Sequence, residues 1–299
     1  MARTKKATRR APEAAEEAEV AEVVDGEKVA EAPPKKGRKN KKEAPGKDAE
    51  QPLPKKLRSS NKEEEAKKDD EKPSAKVSKV SKVSKVAKVK IDPAKADVPL
   101  LVFAHGAGAP SSHEWMVRWK KLLGEATGAV EVVTFDYPYC ANGKKGAPPK
   151  AEKLVGCHKE EIEKAMSRHP GHPVVLVGKS MGSRVSCMVA GQEDVDVAAV
   201  VCLGYPLKVA HKNELRDKPL LELKAPVLFV QGCKDAMCPL TELHSVRNKM
   251  TVKSEVHAVQ DGDHSLKISK KLKITQDASD QKALNQIKIF ISKVLKKTL

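Results

Sequence analysis

From residue 98 onward, short apolar runs alternate with helix-compatible stretches, and this alternation restricts the folds open to the chain. We interpret as strands the runs Leu100–Ala104, Val130–Phe135, Pro173–Val177, Ala198–Leu203, Val227–Gln231 and Glu255–Val259. The helical stretches between and after them are His113–Ala126, Ala151–Arg168, Met181–Ala190, Thr241–Lys249 and Ser279–Leu295. Nearly continuous Val, Leu and Ala runs are typical of parallel strands that are covered on both faces. The pattern predicts an α/β fold with a doubly wound, mostly parallel sheet of about six strands.

The N-terminal third of the chain has a different composition. All nine aromatic residues lie at or after Phe103, whereas residues 1–95 contain 27 Lys and Arg and 18 Asp and Glu. Such a segment cannot bury enough apolar surface to offset the entropy lost on ordering. We therefore predict a disordered, basic, low-complexity tail over residues 1–96 and a folded domain over residues 97–299.

The tail contains features that suggest binding partners. Pro33–Lys42 and Pro54–Arg58 resemble the two clusters of a nuclear import signal, although a Lys-rich tail also produces such clusters by composition alone. The triplet repeat Lys76–Lys90 is interpreted as a flexible basic linker. A basic tail could bind import factors, acidic proteins or nucleic acid. The acidic stretches Glu13–Glu31 and Glu63–Glu71 weaken the case for nucleic acid.

Cysteine usage and hydropathy indicate a compartment. The six cysteines form no CxxC pair, and the chain shows neither an apolar signal segment nor an apolar stretch as long as a membrane span. The many glutamates of residues 11–31 argue against a transit peptide. We expect a soluble protein of the cytoplasm, the nucleus or both, with reduced thiols and no membrane span.

The motif GKSMG at residues 178–182 predicts a nucleophile. It has the form G-x-S-x-G and lies between an apolar strand and a helix. In this setting the motif indicates a nucleophilic serine. Gly178 and Gly182 would flank a tight elbow, and Ser180 would stand at its apex. A chance match is the alternative reading, and the strand–turn–helix placement argues against it.

A glycine-rich loop after the first strand is the candidate oxyanion loop. Residues 105–108 read His105-Gly106-Ala107-Gly108, and glycines there would let the backbone approach a substrate. We predict that the backbone N–H groups of Ala107 and Met181 form the oxyanion hole. A plain strand-to-helix turn is the alternative, and His105 itself is interpreted as a residue that positions the loop.

The acid and the base would follow later strands. Asp235 comes directly after the fifth strand, whereas its rival Asp217 lies in a polar loop with no strand before it. His264 follows the last strand, and the chain order Ser180, Asp235, His264 is that of α/β-hydrolases. His257 is expected to pack in the sheet. Solvent exposure is expected for His113, His158, His169, His172, His211 and His244.

Taken together, the motifs resemble one known family. The segments AHGAGAP, FDYPY, VGKSMGSR, VQGCKDAMCP and DGDHSLK are similar to the α/β-hydrolase-like family that groups a testis-expressed protein with subunit 3 of the NSL histone-acetyltransferase complex. The resemblance covers about Val98 to Leu299. It implies an α/β-hydrolase fold with a minimal cap, and it maps Ser180, Asp235 and His264 onto the catalytic triad of that family. Some relatives look like scaffolds of chromatin complexes.

Two functions follow as expectations. The first is a serine hydrolase that acts on a small-molecule ester, thioester or related acyl substrate through an acyl-enzyme, with no metal and no organic cofactor. The second is a hydrolase-fold interaction or scaffold module, associated with chromatin. The three complete triad positions favour the enzyme, and the basic tail and the family likeness favour the module.

Overall fold

A computed structural model describes residues 90–144, 146–209 and 214–296 of the protein. The import-like clusters and the triplet repeat of the predicted tail lie outside the described residues. The end of that predicted tail is ordered on the domain, because Asp92 caps a 3-10 turn at Pro93–Lys95 and its backbone N–H donates to the carbonyl of Gly171. Ala96 is buried. Residues 92–96, which we assigned to the tail, therefore pack against the domain in the structure.

The described residues form alternating strands and helices. The strands are β1 (Leu100–Ala104), β2 (Glu131–Phe135), β3 (Val174–Lys179), β4 (Ala199–Leu203), β5 (Val227–Gly232) and β6 (Ser254–Val259). The α-helices are α1 (Glu114–Thr127), α2 (Val155–Arg168), α3 (Met181–Ala190), α4 (Lys218–Leu221), α5 (Leu240–Arg247) and α6 (Gln276–Leu295). Further 3-10 turns occur at Ala141–Gly143 and Ala151–Leu154.

The six strands form one parallel sheet with the order β2-β1-β3-β4-β5-β6. The chain starts in the interior of the sheet, passes to one edge and then returns across to the other edge. In a parallel sheet of this kind, all strands end at the same rim, so the loops after β1, β3, β5 and β6 meet there. The predicted doubly wound parallel sheet of about six strands is confirmed.

Successive residues of β1 show how the sheet is covered on both faces. Leu100 and Val102 face a core that also contains side chains of α2, α3 and α5, whereas Leu101 and Phe103 face a core formed with α1 and α6. All five residues of β1 are fully buried. Two-sided burial explains why the strand reads as a continuous apolar run rather than as an alternating one.

Two details differ from the sequence prediction. The helix predicted to begin at Ala151 starts as a 3-10 turn and becomes α-helical only at Val155, and Leu154 provides no side-chain cap there. The short helix α4 was not predicted. It lies in the segment between β4 and β5, which holds only this helix and an isolated bridge between Lys208 and Leu215 among its described residues. The described part of this segment is consistent with the minimal cap that we expected.

The prediction of exposure is wrong for His158. This residue is fully buried, because it lies on the apolar face of α2, where its Nδ1 lies 3.2 Å from the Tyr137 hydroxyl. Burial lowers the pKa of His158 to about 3, so the ring is neutral. His113 and His244 are exposed, and His169 and His172 are partly buried. His257 is partly buried on strand β6, and His211 lies outside the described residues.

In the described parts of the chain, no helix combines the length and the apolar character needed to cross a bilayer.

Two adjacent residues of α6 test how this helix is held on the sheet. Phe290 is 1% exposed and Ile289 is 48% exposed, so the first faces the core and the second faces solvent. We expect Phe290→Ala to lower the free energy of unfolding by about 3–5 kcal/mol, because it leaves a cavity in the core. Ile289→Ala serves as the matched control and should change the free energy by less than about 0.5 kcal/mol. Urea denaturation measures both, and equal losses would contradict the described packing.

Candidate active site

Ser180 occupies a strained turn between β3 and α3. Its φ of 51° and ψ of −115° lie in a region that residues other than glycine rarely adopt. Its backbone N–H donates to the carbonyl of Leu203 at 3.1 Å. A methyl group at Gly178 would overlap the backbone of Ser183, and one at Gly182 would overlap the carbonyl of Ala104. The two glycines flanking the predicted elbow are therefore required by close backbone packing.

The side chains of Ser180, His264 and Asp235 form one hydrogen-bonded series. The Nε2 atom of His264 lies 2.7 Å from the Oγ of Ser180, and its Nδ1 lies 2.7 Å from the Oδ2 of Asp235. A carboxylate only accepts hydrogen bonds, so Nδ1 carries the proton and the free Nε2 accepts the serine hydroxyl. The structure thus brings together the three residues that the sequence predicted, although they lie far apart along the chain.

Asp235 is fixed by several donors. Its side chain is fully buried, and its Oδ2 accepts from Gln231 Nε2 at 2.6 Å while its Oδ1 accepts from the Met237 backbone N–H at 2.8 Å. Burial alone would raise the pKa of Asp235, but the hydrogen bonds from His264, the Met237 backbone and Gln231 together lower it. The carboxylate therefore remains ionised beside the imidazole. The alternative, Asp217, instead precedes α4 at its N-cap position and makes no side-chain capping hydrogen bond there.

The loop that carries His264 is held by side chains from other elements. Lys179 donates from Nζ to the His264 carbonyl, and Trp115 donates from Nε1 to the Ser265 carbonyl at 3.1 Å. The ammonium group of Lys179 also lies 5.3 Å from the centre of the Trp115 ring, a cation–π distance. Within the loop, the carboxylate of Asp263 accepts from the Ser265 backbone N–H at 2.7 Å. These contacts fix the imidazole against Ser180.

The oxyanion loop is held by two aromatic rings of the next loop and by its own histidine. His105 is fully buried, its Nε2 accepts from the Tyr137 backbone N–H at 3.0 Å, and its Nδ1 donates to the Gly106 carbonyl at 2.6 Å. Burial lowers the pKa of His105, which keeps this neutral tautomer. The Tyr139 hydroxyl lies 3.2 Å from the Gly106 carbonyl and 3.3 Å from the Ala107 carbonyl. His105 thus positions the loop, as the sequence indicated.

A cavity of about 540 Å³ opens beside the nucleophile. Ser180, Ala107 and Met181 all line it, so both predicted oxyanion-hole residues face the same space as the serine. Gly108 is not among the lining residues, and a methyl group there would meet no atom within 4 Å. Among the described residues, no group of three or more His, Cys, Asp or Glu is arranged to hold a metal ion.

Several residues of the site were not singled out from the sequence. They are Lys179, Gln231, Tyr139 and the arginines Arg184 and Arg216, which also line the cavity. Tyr139 lies within the FDYPY segment and Arg184 within VGKSMGSR, so their positions beside the predicted motifs were the available signal. Gln231 lies within the VQGCKDAMCP segment, four residues before the Asp235 that it contacts, so the same signal was available for it. The role of Lys179 depends on a contact between β3 and the loop after β6, which the chain order does not reveal.

The elbow glycine Gly178 provides a test of the turn. Gly178→Ala would force the new methyl group into the backbone of Ser183, so we expect a loss of about 1–3 kcal/mol in the free energy of unfolding. Gly156→Ala in α2 is the control, because a methyl group there meets nothing within 4 Å and helices favour alanine by about 1 kcal/mol. Urea denaturation compares the two. A Gly178→Ala protein as stable as the wild type would contradict the described elbow.

The partly buried Lys179 makes stability depend on pH. Burial lowers the pKa of Lys179 from 10.5 to about 8, although Asp235 and Asp263 act in the opposite direction. Below about pH 8 the lysine is charged in both states, and its charge destabilises the native state. Between about pH 8 and pH 10.5 the native state has lost the proton while the unfolded chain still holds it, so the free energy of unfolding rises with pH. The stability of the wild type relative to Lys179→Met should therefore rise by about 1–3 kcal/mol between pH 7 and pH 10. Urea denaturation of both proteins at the two pH values measures the difference, and a constant difference would contradict the shift.

Comparison with known proteins agrees with the fold. Residues 97–292 match the family described as "Alpha/beta hydrolase domain". A monoacylglycerol lipase of Paleococcus ferrophilus is 16% identical, with a TM-score of 0.51 over 66% of this chain and 96% of the lipase. An esterase of Pyrococcus furiosus is 14% identical, with a TM-score of 0.52 over 67% of this chain and 82% of the esterase. At these identities the structures show a shared fold, and the family match over most of the chain identifies the protein as a member of the alpha/beta hydrolase domain family.

Proposed function

We propose that the protein is a serine hydrolase that cleaves an ester, thioester or related acyl bond through an acyl-enzyme. One observation carries the proposal: Ser180, His264 and Asp235 are joined by two hydrogen bonds of 2.7 Å, with the imidazole in the tautomer that can accept the serine proton. Membership of the alpha/beta hydrolase domain family supports a hydrolase. The esterase and lipase folds that resemble this one support the same general class.

Acylation would use the three residues in sequence. His264 Nε2 takes the proton of Ser180 as Oγ attacks the carbonyl carbon, and Asp235 stabilises the resulting imidazolium. The backbone N–H groups of Ala107 and Met181 would stabilise the tetrahedral oxyanion, aided by the N-terminus of α3. The bond from the carbonyl carbon to the leaving oxygen or sulfur then breaks, and His264 gives its proton to that atom.

Deacylation would repeat the same steps with water. His264 takes a proton from a water molecule, the resulting hydroxide attacks the acyl-enzyme, and the bond to Ser180 Oγ breaks as His264 returns the proton to it. One water is consumed, and one acid and one alcohol or thiol are released for each turnover. No redox change occurs.

A hydrolase-fold interaction module is the second candidate. The likeness of the sequence motifs to those of the NSL complex subunit and the basic N-terminal segment favour it, together with a nuclear location. The complete and hydrogen-bonded set of Ser180, Asp235 and His264 favours the enzyme, because a scaffold has no need for a serine held in strained backbone geometry.

Labelling with a fluorophosphonate separates the two candidates. The full-length protein should be labelled covalently. Ser180→Ala should abolish the labelling and should lower the rate of 4-nitrophenyl acetate hydrolysis by at least about 10³-fold. Ser186→Ala is the matched control in the same helix, since the Ser186 hydroxyl is buried and has no hydrogen-bond partner in the part of the chain that the structure describes. Its labelling should equal that of the wild type. A folded wild-type protein that is not labelled would refute the enzymatic proposal and support the module.

A further inference from the structure

Two arginines line the cavity that contains Ser180. Arg184 lies one helical turn beyond the nucleophile in α3, and its backbone N–H donates to the Ser180 carbonyl at 3.4 Å. A helical turn rises about 5.4 Å, so this side chain projects from a point close to the serine. Arg216 reaches the same cavity from the segment between β4 and β5. Both arginines also line a second cavity of about 520 Å³, so they lie on the wall between the two spaces.

The side chain of Arg184 makes no hydrogen bond to any residue that the structure describes. Its Nε is buried and has no hydrogen-bond partner among the residues that the structure describes. Its Nη2 lies 3.7 Å from the carboxylate of Glu152, which is longer than a hydrogen bond. An unpaired buried donor on a charged group is costly, and a ligand oxygen would satisfy it.

Arg216 also lacks a close counterion. Its Nη1 donates to the carbonyls of Pro206 and Lys208 at 3.3 and 3.2 Å, and it takes part in no ion pair within the described ranges. Burial lowers the pKa of Arg216, and the positive charge of Arg184 lowers it further. Two guanidinium groups that repel each other in one cavity would both be stabilised by an anion placed between them.

The acidic residues of this cavity lie nearer to solvent than Arg184 does. The side chain of Glu152 is 62% exposed, against 16% for Arg184, and Glu214 is exposed as well. Lys150 adds a third positive charge at the same rim. Carboxylates in solvent are screened and weakly coupled to their partners, so they neutralise the two arginines only in part.

We infer that the cavity beside Ser180 binds the anionic end of the substrate, a carboxylate or phosphate group attached within a few atoms of the scissile acyl bond. This inference rests on the proposed hydrolase function and specifies its substrate class. Guanidinium groups bind planar carboxylates and phosphates through paired hydrogen bonds, which orient the ligand as well as attract it. An anion held there would place the scissile carbonyl over Ser180 and next to Ala107 and Met181, which line the same cavity.

Matched pairs of esters test the inference. On the acyl side, 4-nitrophenyl hemiglutarate is compared with its neutral methyl ester, and on the leaving-group side, 4-acetoxybenzoate is compared with its methyl ester. In each pair, the ratio of kcat/KM for the anionic ester to that for the neutral ester measures the preference for an anion. Comparing this ratio between protein variants cancels the intrinsic reactivity of the esters.

We expect Arg184→Met and Arg216→Met each to reduce this ratio by tenfold or more in at least one pair of esters. The pair in which the ratio falls shows whether the anion is on the acyl side or on the leaving-group side of the bond. Arg184→Lys keeps the charge and should retain a larger ratio than Arg184→Met. Arg168→Met is the control, because Arg168 contacts Glu131 at the start of β2, the end of the strand that lies away from the rim with Ser180. Its ratios should equal those of the wild type.

The outcomes separate this inference from the proposed function. If Ser180 is labelled by the fluorophosphonate and the neutral esters are hydrolysed, but the arginine variants keep the wild-type ratios in both pairs, the anion site is refuted and the hydrolase stands. If the folded wild-type protein is neither labelled nor active on any ester, both are refuted. A loss of ratio in Arg168→Met as large as that in Arg184→Met would also overturn the inference, since it would show a general effect of charge.

Discussion

The tight turn that converts β3 into α3 is the constraint on which the site depends. Strained backbone of the kind found at Ser180 costs about 1–3 kcal/mol and persists only where its surroundings enforce it. Here Gly178 and Gly182 allow α3 to pack directly against neighbouring backbone, and the hydrogen bond to Leu203 ties the turn to β4. The same turn directs the N-terminus of α3 at the serine oxygen and sets Arg184 one turn further along.

The parallel sheet brings the remaining groups to this turn. The ends of β4 and β5 carry Gly204 and Gly232, and a methyl group on either would overlap a carbonyl of the loop that holds His264. The φ of Gly204, at 68°, is also one that favours glycine. Close backbone contact, reinforced by the hydrogen bonds from Lys179 and Trp115, therefore fixes the loop without a large cap over the site.

The sheet and the order of the site residues were predictable because they depend on local patterns. Two-sided burial makes each strand a continuous apolar run, and the elbow motif lies directly between such a run and a helix. The burial of His158 was not predictable in the same way, since it depends on which face of α2 meets Tyr137. The contact of Lys179 with the His264 loop likewise appears only once separate strands are aligned, whereas Gln231 lies only four residues before Asp235.

Lys179 illustrates how the site sets stability against function. An ammonium group in a buried position destabilises the native state, as the lowered pKa of Lys179 records. The same ammonium group donates to the carbonyl of His264 and lies over the ring of Trp115. The protein therefore has a lysine where an apolar side chain would destabilise the native state less. With Arg184 lining the cavity beside the same serine, positive charge is concentrated where the proposed reaction would form an oxyanion. The buried carboxylate of Asp235 balances part of the charge of Lys179, whereas both arginines lie on the wall of the cavity itself.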